Sequence, residues 1–312
     1  MKSLAIAITL SALLAGCARV QSIIETIIEP ETAAELSIVE INPHQEIILG
    51  TFDLDRFGPK KAGDLKILGL LANIIHQFDV VAVQEIHDQS GEAPIALLNA
   101  VNAFGEVYGM VLSPRTGQQA NDSEGNAQEQ YAFFYRMRTI SHLGNDLLFP
   151  DEERDLFQHE PHMARFGSNH GNLTFVLINI HTDPNLAIQE IDALHDAVEW
   201  ARSHFLTEDD FIVLGDFNAA CDYAGVEDLR STRLRRLSYA WIVQDEDDTN
   251  VADSVCAYDR IVLNENAYRE LTGGPMILRV FDDPAVSDHW PVMVTLDPTE
   301  DMDMTTSSNN LE

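Results

Sequence analysis

The chain has 312 residues, 45% of them hydrophobic, which is ample for the core of one large α/β domain or two small ones. Its formal charge is −32 and lysine occurs only at positions 2, 60, 61 and 66, a balance that argues against a surface gripping nucleic acid by phosphate contacts alone. Bound divalent cations reverse such a field locally, and seawater-like salt screens it within a few Å, so the acidity reads as salt adaptation of an exported protein.

In chain order, Lys2, the apolar run Leu4 to Leu14 and the string Leu14-Ala15-Gly16-Cys17 form an export signal ending in a bacterial lipoprotein-like cleavage box. The run is too short to span a bilayer. Residues 1–17 are therefore expected to be a signal, with Cys17 lipidated and the protein held at the outer membrane or cell surface by that anchor. A plain signal peptide with an incidental cysteine is the alternative. Residues 18–44 lack a sustained period and read as a tether, and residues 298–312 as an acidic disordered tail. Residues 45–297 are the expected catalytic domain.

Within it, Ile47–Phe52 and Val80–Val83 read as strands around an amphipathic helix at Leu65–Gln77. Tyr131–Tyr135 and Leu173–Ile180 follow as strands, then a long helix from Asn185 to about His204 opened by Asp183-Pro184. Phe211–Leu214, Arg260–Leu263 and Val292–Leu296 complete a strand-rich α/β core. Arg230, Arg233, Arg235 and Arg236 make the one basic stretch, read as a solvated helix face paired with nearby acids rather than a phosphate contact. Cys221 and Cys256 are an even pair once Cys17 is removed, so a disulfide is the economical reading and two buried thiols the alternative.

Polar groups stand where apolar runs end: Glu85 after VVAVQ, His181 after LTFVLINI, Asp216 and Asn218 after FIVLG, Asp288 and His289 before WPVMVTL. Burying an unpaired carboxylate or imidazole costs several kcal/mol, so four such endings predict convergence on one rim. Glu85, Asp216, Asn218 and Asp288 are hard oxygen ligands suited to Mg²⁺, Mn²⁺ or Ca²⁺, and His181 and His289 are candidates for proton transfer. Phosphodiester cleavage needs those parts: a cation, a base for water and an acid for the leaving oxygen.

The strings TFDLDRFG, VVAVQEI, EQYAFFYR, NIHTDP, LGDFNAAC, CAYDRIVL and VSDHWPV resemble, in order, the motifs of the endonuclease/exonuclease/phosphatase superfamily and its deoxyribonuclease I branch. The resemblance implies a four-layer α/β sandwich, two packed and mainly antiparallel β-sheets flanked by helices. It implies Glu85 as the principal metal carboxylate, Asp216 and Asn218 on the scissile phosphate and a second cation, and Asp288 beside them. His181 with Glu129, and His289 with Asp259, match the two His–carboxylate pairs, acid and base respectively, giving 5′-phosphate ends. Cys221 and Cys256 match the long-loop disulfide. Asp155 with Glu160, and Asp248, match the two calcium loops only in part.

The departures bear on substrate. Asp53 adds a carboxylate where asparagine is usual, next to the metal. His87 and His159 stand in place of arginines, and Ala127 in place of a groove-stacking tyrosine, which weakens the expected grip on duplex DNA. The expectation is a monomeric Mg²⁺- or Mn²⁺-dependent endonuclease acting on DNA, with RNA left open. A sphingomyelinase-like phosphodiesterase or a phosphatase of the same fold is the enzymatic rival, and a surface-binding lipoprotein without catalysis the rival from another class.

Overall fold

The computed structural model describes residues 46–117, 128–299 and 301. The signal with Cys17, the tether, Ala127 and all of the tail except residues 298, 299 and 301 lie outside the described residues.

In chain order the elements are β1 (Ile47–Phe57), α1 (Pro59–Gly63), α2 (Leu65–Ile75), β2 (Val80–Ile86), α3 (Glu92–Asn102), β3 (Tyr108–Leu112), β4 (Gln130–Arg136), β5 (Ile140–His142) and β6 (Leu147–Leu148). The second half runs β7 (His162–Ser168), β8 (Thr174–His181), α4 (Ala187–His204), β9 (Phe211–Asp216), α5 (Val226–Ser231), α6 (Arg233–Arg236), β10 (Tyr239–Trp241), β11 (Asp259–Asn264), α7 (Glu265–Arg269), β12 (Leu271–Ile277) and β13 (Val292–Leu296).

Two mixed sheets result. The first has the order β12-β13-β1-β2-β4-β3, the second β10-β11-β9-β8-β7-β5 with β6 on β7. Each has one parallel pair at its centre, β1 with β2 and β8 with β9, and is otherwise antiparallel. Parallel neighbours are buried on both faces, which is why β2 and β9 read as unbroken apolar runs. In β2, Val80 and Ala82 face the core shared by the sheets, where Leu49, Phe133, Phe175 and Leu214 meet; Val81 and Val83 face α2 and α3. On the other outer face Ile191, Leu194 and Val198 of α4 cover Ile178, Ile180 and Val213. Each such side chain contributes roughly 1.5–3 kcal/mol by leaving water. The four layers expected from the motifs are therefore present.

Helix α2 starts where Asp64 accepts the N–H groups of Lys66 and Ile67. Helix α4 starts two residues later than anticipated. Asp183 instead closes a turn by accepting the Asn185 N–H, 2.7 Å away, and Leu186 sits at the N-cap without a side-chain cap. Three of the four arginines in the basic stretch are paired with acids: Arg233 with Asp192 at 2.8 Å and Asp196 at 2.6 Å, Arg230 with Glu227, and Arg235 with Asp245. Arg260 is buried and bridges to the carbonyls of Val243 and Ala219, so Asp259 is not its ion-pair partner.

A buried pair of amides joins the two sheets. Gln84 on β2 donates to Asn179 Oδ1 on β8 at 2.6 Å, and Asn179 donates back to the Val83 carbonyl at 3.1 Å. Both side chains are fully buried, so sliding one sheet over the other would strand amides out of reach of water.

Candidate active site

Chain irregularities turn the strand ends towards one another. The register of β1 and β2 shifts between Asp53 and Phe57, and Glu85 lies in the left-handed region at φ 60°. Asn218 does the same at φ 47° after β9. Non-glycine residues hold such conformations at a cost of about 1–2 kcal/mol, and they gather at functional sites. Gly215 has φ 144°, and a Cβ there would lie 1.8 Å from the Ile180 carbonyl oxygen, so only glycine lets β9 approach β8 and set Asp216 beside His181.

The anticipated pairs form. His181 Nδ1 lies 3.1 Å from Glu129 Oε2, and His289 Nδ1 lies 2.8 Å from Asp259 Oδ2. Each pair spans the two sheets. Glu129 precedes β4 of the first sheet and His181 ends β8 of the second; His289 precedes β13 of the first and Asp259 opens β11 of the second. The outer nitrogens converge on Asp216 Oδ2, with His181 Nε2 at 3.6 Å and His289 Nε2 at 3.9 Å. Asp216 also accepts the Asn218 backbone N–H at 2.8 Å, and the Asn218 amide donates to the Thr182 carbonyl at 2.8 Å.

Electrostatics distinguish these groups. Burial alone would raise Glu129, but the charges of His159 and His181 and hydrogen bonds from His181 and His87 hold it well below the usual carboxylate range. Burial pulls His181 and His289 down, and the carboxylates, Glu129 for one and Asp259 for the other, more than offset it, so both stand well above the ordinary imidazole value. Burial and then the Glu85 charge push Asp53 up; burial pushes Asp216 up to about 6 against the opposing histidines. Crowded carboxylates raised in this way favour a proton or a cation.

Asp53, Glu85 and His181 present ligand atoms within 4.8 Å of one another, and the buried Asp53 Oδ2 receives no hydrogen bond from a described residue. The two carboxylates of this set, Asp53 and Glu85, fit a hard divalent cation. Asp288 is at the edge, its side chain 55% exposed and 3.8 Å from His289 Nε2. The partial calcium loops differ from this. Among the described residues, clusters of three or more His, Cys, Asp or Glu ligand atoms lie in the rim and none includes Asp155, Glu160 or Asp248. Glu160 is engaged by Thr116 and the Gly117 N–H; Asp248 accepts the Cys256 N–H at 3.1 Å and lies 3.4 Å from Arg279. The disulfide reading holds: Cys221 and Cys256 are bonded, tying the loop after Asn218 to the entry of β11.

Several supporting residues carry no local signal in the sequence. Tyr131 accepts the His181 backbone N–H at 3.1 Å, and the Ser287 hydroxyl donates to the Asp53 carbonyl at 2.7 Å while accepting the His289 N–H at 3.0 Å. Asp151 accepts the Phe157 N–H at 2.7 Å, shaping the loop that leads to His159. Glu190 of α4 is fully buried and accepts the N–H groups of Gln158 at 2.8 Å and Asp183 at 3.0 Å, fastening both segments beside His181.

Burial pushes Glu190 up to about 7 against those backbone donors. Its folded pKa exceeds the unfolded one, so its contribution is complete below about pH 4.3 and declines as pH rises through about 7. Urea unfolding at about pH 5 and about pH 8 checks this: the stability of the wild type relative to Glu190→Gln should fall by about 3 kcal/mol over that window.

Comparisons with known proteins agree with the geometry. The sequence profile described as Endonuclease/Exonuclease/phosphatase family matches residues 54–289. Deoxyribonuclease-1-like 2 of Mus musculus is 33% identical over 260 residues, covering 79% of this chain and 90% of that protein. Deoxyribonuclease-1 of Gallus gallus is 32% identical, with 80% and 91% covered. Among solved structures, the human Nocturnin catalytic domain with bound sulfate superposes with a TM-score of 0.56 at 14% identity, covering 82% of this chain and 95% of that one, a likeness of fold. The chain belongs to the Endonuclease/Exonuclease/phosphatase family, in its deoxyribonuclease I-like branch.

Proposed function

We propose that this protein is a divalent-cation-dependent endonuclease that hydrolyses DNA phosphodiester bonds with little sequence preference and leaves 5′-phosphate ends. The observation that carries the reading is the pair of His–carboxylate couples facing each other across Asp216, one from each side. His289, its Nδ1–H donated to Asp259, takes a proton from water at Nε2 as the new P–O bond forms. His181, oriented by Glu129, gives its Nε2 proton to the departing 3′ oxygen as that P–O bond breaks. Asp216 and Asn218 position the phosphate between them. A cation held by Glu85 and Asp53 supplies neutralisation of the charge that builds on the phosphate oxygens.

The lipoprotein-like box before Cys17 supports export and anchoring at the outer membrane or cell surface, where extracellular DNA is the substrate at hand. The two partial loops at Asp155–Glu160 and Asp248 make Ca²⁺ a candidate accessory ion.

Nicking of supercoiled plasmid in Mg²⁺, with and without Ca²⁺ and at low and high salt, tests the reading. EDTA should abolish it. Asp53→Asn should raise the Mg²⁺ concentration for half-maximal rate by about tenfold, equivalent to ~1.4 kcal/mol for one charged ligand. Undiminished cleavage in EDTA, or hydrolysis of a choline phospholipid without DNA cleavage, would overturn it.

A further inference from the structure

On the side of His181 away from Asp216, Glu129 is the meeting point of several imidazoles. Its Oε2 lies 3.1 Å from His181 Nδ1 and 3.5 Å from His87 Nε2, and the His159 ring stacks on that of His181 at 5.8 Å between centroids and 18° between planes. Ligand atoms of Glu129, His159 and His181 lie within 4.8 Å of one another, as do those of Glu85, His87 and Glu129. The Glu129 side chain is 1% exposed, and its Oε1 is buried without a hydrogen bond from a described residue. The buried His87 Nδ1 is in the same state.

Nitrogen-rich surroundings of this kind suit a different ion from the oxygen pocket of Asp53 and Glu85. Imidazole favours Zn²⁺, Co²⁺, Ni²⁺ and Cu²⁺, whereas Mg²⁺ demands oxygen ligands in an octahedron. Tetrahedral Zn²⁺ with bonds of about 2.0 Å to nitrogen and oxygen sets its ligand atoms ~3.3 Å apart. The spacings from Glu129 to His181 and His87 already bracket that value.

We propose that Glu129, His87, His159 and His181 form a second cation site, selective for Zn²⁺-like borderline ions, and that filling it switches the nuclease off. This part rests on the reading of His181 as the general acid. Ligation releases the His181 Nδ1 proton to solvent and takes up the lone pair so freed together with the Glu129 oxygen, the two atoms whose hydrogen bond orients the acid. The imidazole becomes a neutral ligand whose remaining Nε2–H is a far weaker acid than the imidazolium, while the oxygen pocket still accepts Mg²⁺.

The test uses the purified protein with Mg²⁺ in excess and Co²⁺ as a visible stand-in for Zn²⁺. Wild type should develop the visible absorption of tetrahedral Co²⁺, saturating at one ion per chain, and Zn²⁺ should bleach it. His87→Arg/His159→Arg should lose the band, with affinity falling by more than the ~10- to 100-fold that an outer-shell change costs. His87→Gln/His159→Gln should do the same without added charge, and near-ultraviolet circular dichroism verifies the fold of both. Zn²⁺ should slow plasmid nicking by wild type, and each variant, relative to its own Mg²⁺ rate, should resist it. A wild type without the band, or a band that survives in both variants, would overturn the site. Zn²⁺ inhibition that is equal in wild type and variants would overturn the switch. A band in a wild type that never nicks DNA would leave the site standing and remove the nuclease reading instead.

Discussion

Replacing His181 or His289 by alanine should lower the plasmid-nicking rate by roughly 10²–10⁴ each, with the double variant falling little further, because acid and base act in one transition state. The expectation follows from placement. Each ring is fixed through Nδ1 by a buried carboxylate, so that Nε2 points at the space above Asp216. Removing the ring removes the proposed proton carrier, leaving Asp259 without its partner in one case and Glu129 with only His87 and His159 beside it in the other. Conservative changes separate these effects. Asp259→Asn keeps the shape but loses the charge that, with Asp216, offsets the burial pulling His289 down. The base-side limb of the pH–rate profile should therefore move to lower pH. Glu129→Gln should blunt the acid step while leaving Mg²⁺ affinity near that of wild type. Measurement of kcat and KM on plasmid, with stability checked in parallel, decides the matter: a His289→Ala enzyme within tenfold of wild type would remove it as the base.

Opening the Cys221–Cys256 disulfide should cost about 3–4 kcal/mol, the loop-closure entropy of a segment this long. For a domain of this size that corresponds to a fall in Tm of roughly 7–14 °C. The bond joins the segment after Asn218 to the strand that presents Asp259, and no other covalent link does so among the described residues. Activity should consequently decline at temperatures below the global transition, as the Asn218 loop loosens first. Calorimetry of Cys221→Ser/Cys256→Ser beside wild type, with nicking followed over the same temperatures, measures both. Identical melting would show that the native loop is held by Arg260, whose guanidinium grips the Ala219 carbonyl at 2.9 Å, and not by the sulfurs.

The rim was legible because its residues interrupt apolar runs. Glu85, His181, Asp216 and His289 are each an abrupt charge at the end of a buried strand, and a sequence carries that kind of discontinuity openly. The centre of each sheet was legible for the same reason, through unbroken Val, Ile and Leu. Edges were not. β12 reads LTGGPMI, with two glycines and a proline, and its alternate residues are exposed; only pairing with β13 makes it a strand. β7 carries His162 and Arg165 among its apolar residues and owes its conformation to β8. Likewise the second ring of supports, Glu190, Tyr131, Ser287 and Asn179, acts between segments far apart in the chain. No local pattern encodes a hydrogen bond between Asn179 and Gln84, 95 residues away. His87 and His159 were visible as changes from arginine, but their gathering around Glu129 was a matter of three dimensions.

The division of each His–carboxylate couple between the sheets bears on the life of the chain. The first sheet cannot close until β13, the last strand in chain order among the described residues, inserts beside β1. That same insertion carries His289 to Asp259, and the docking of the sheets carries His181 to Glu129. A nascent or partly unfolded chain thus holds all four residues of the two couples and neither couple. Any activity of the two couples is thus withheld by topology until the strands that carry them have paired.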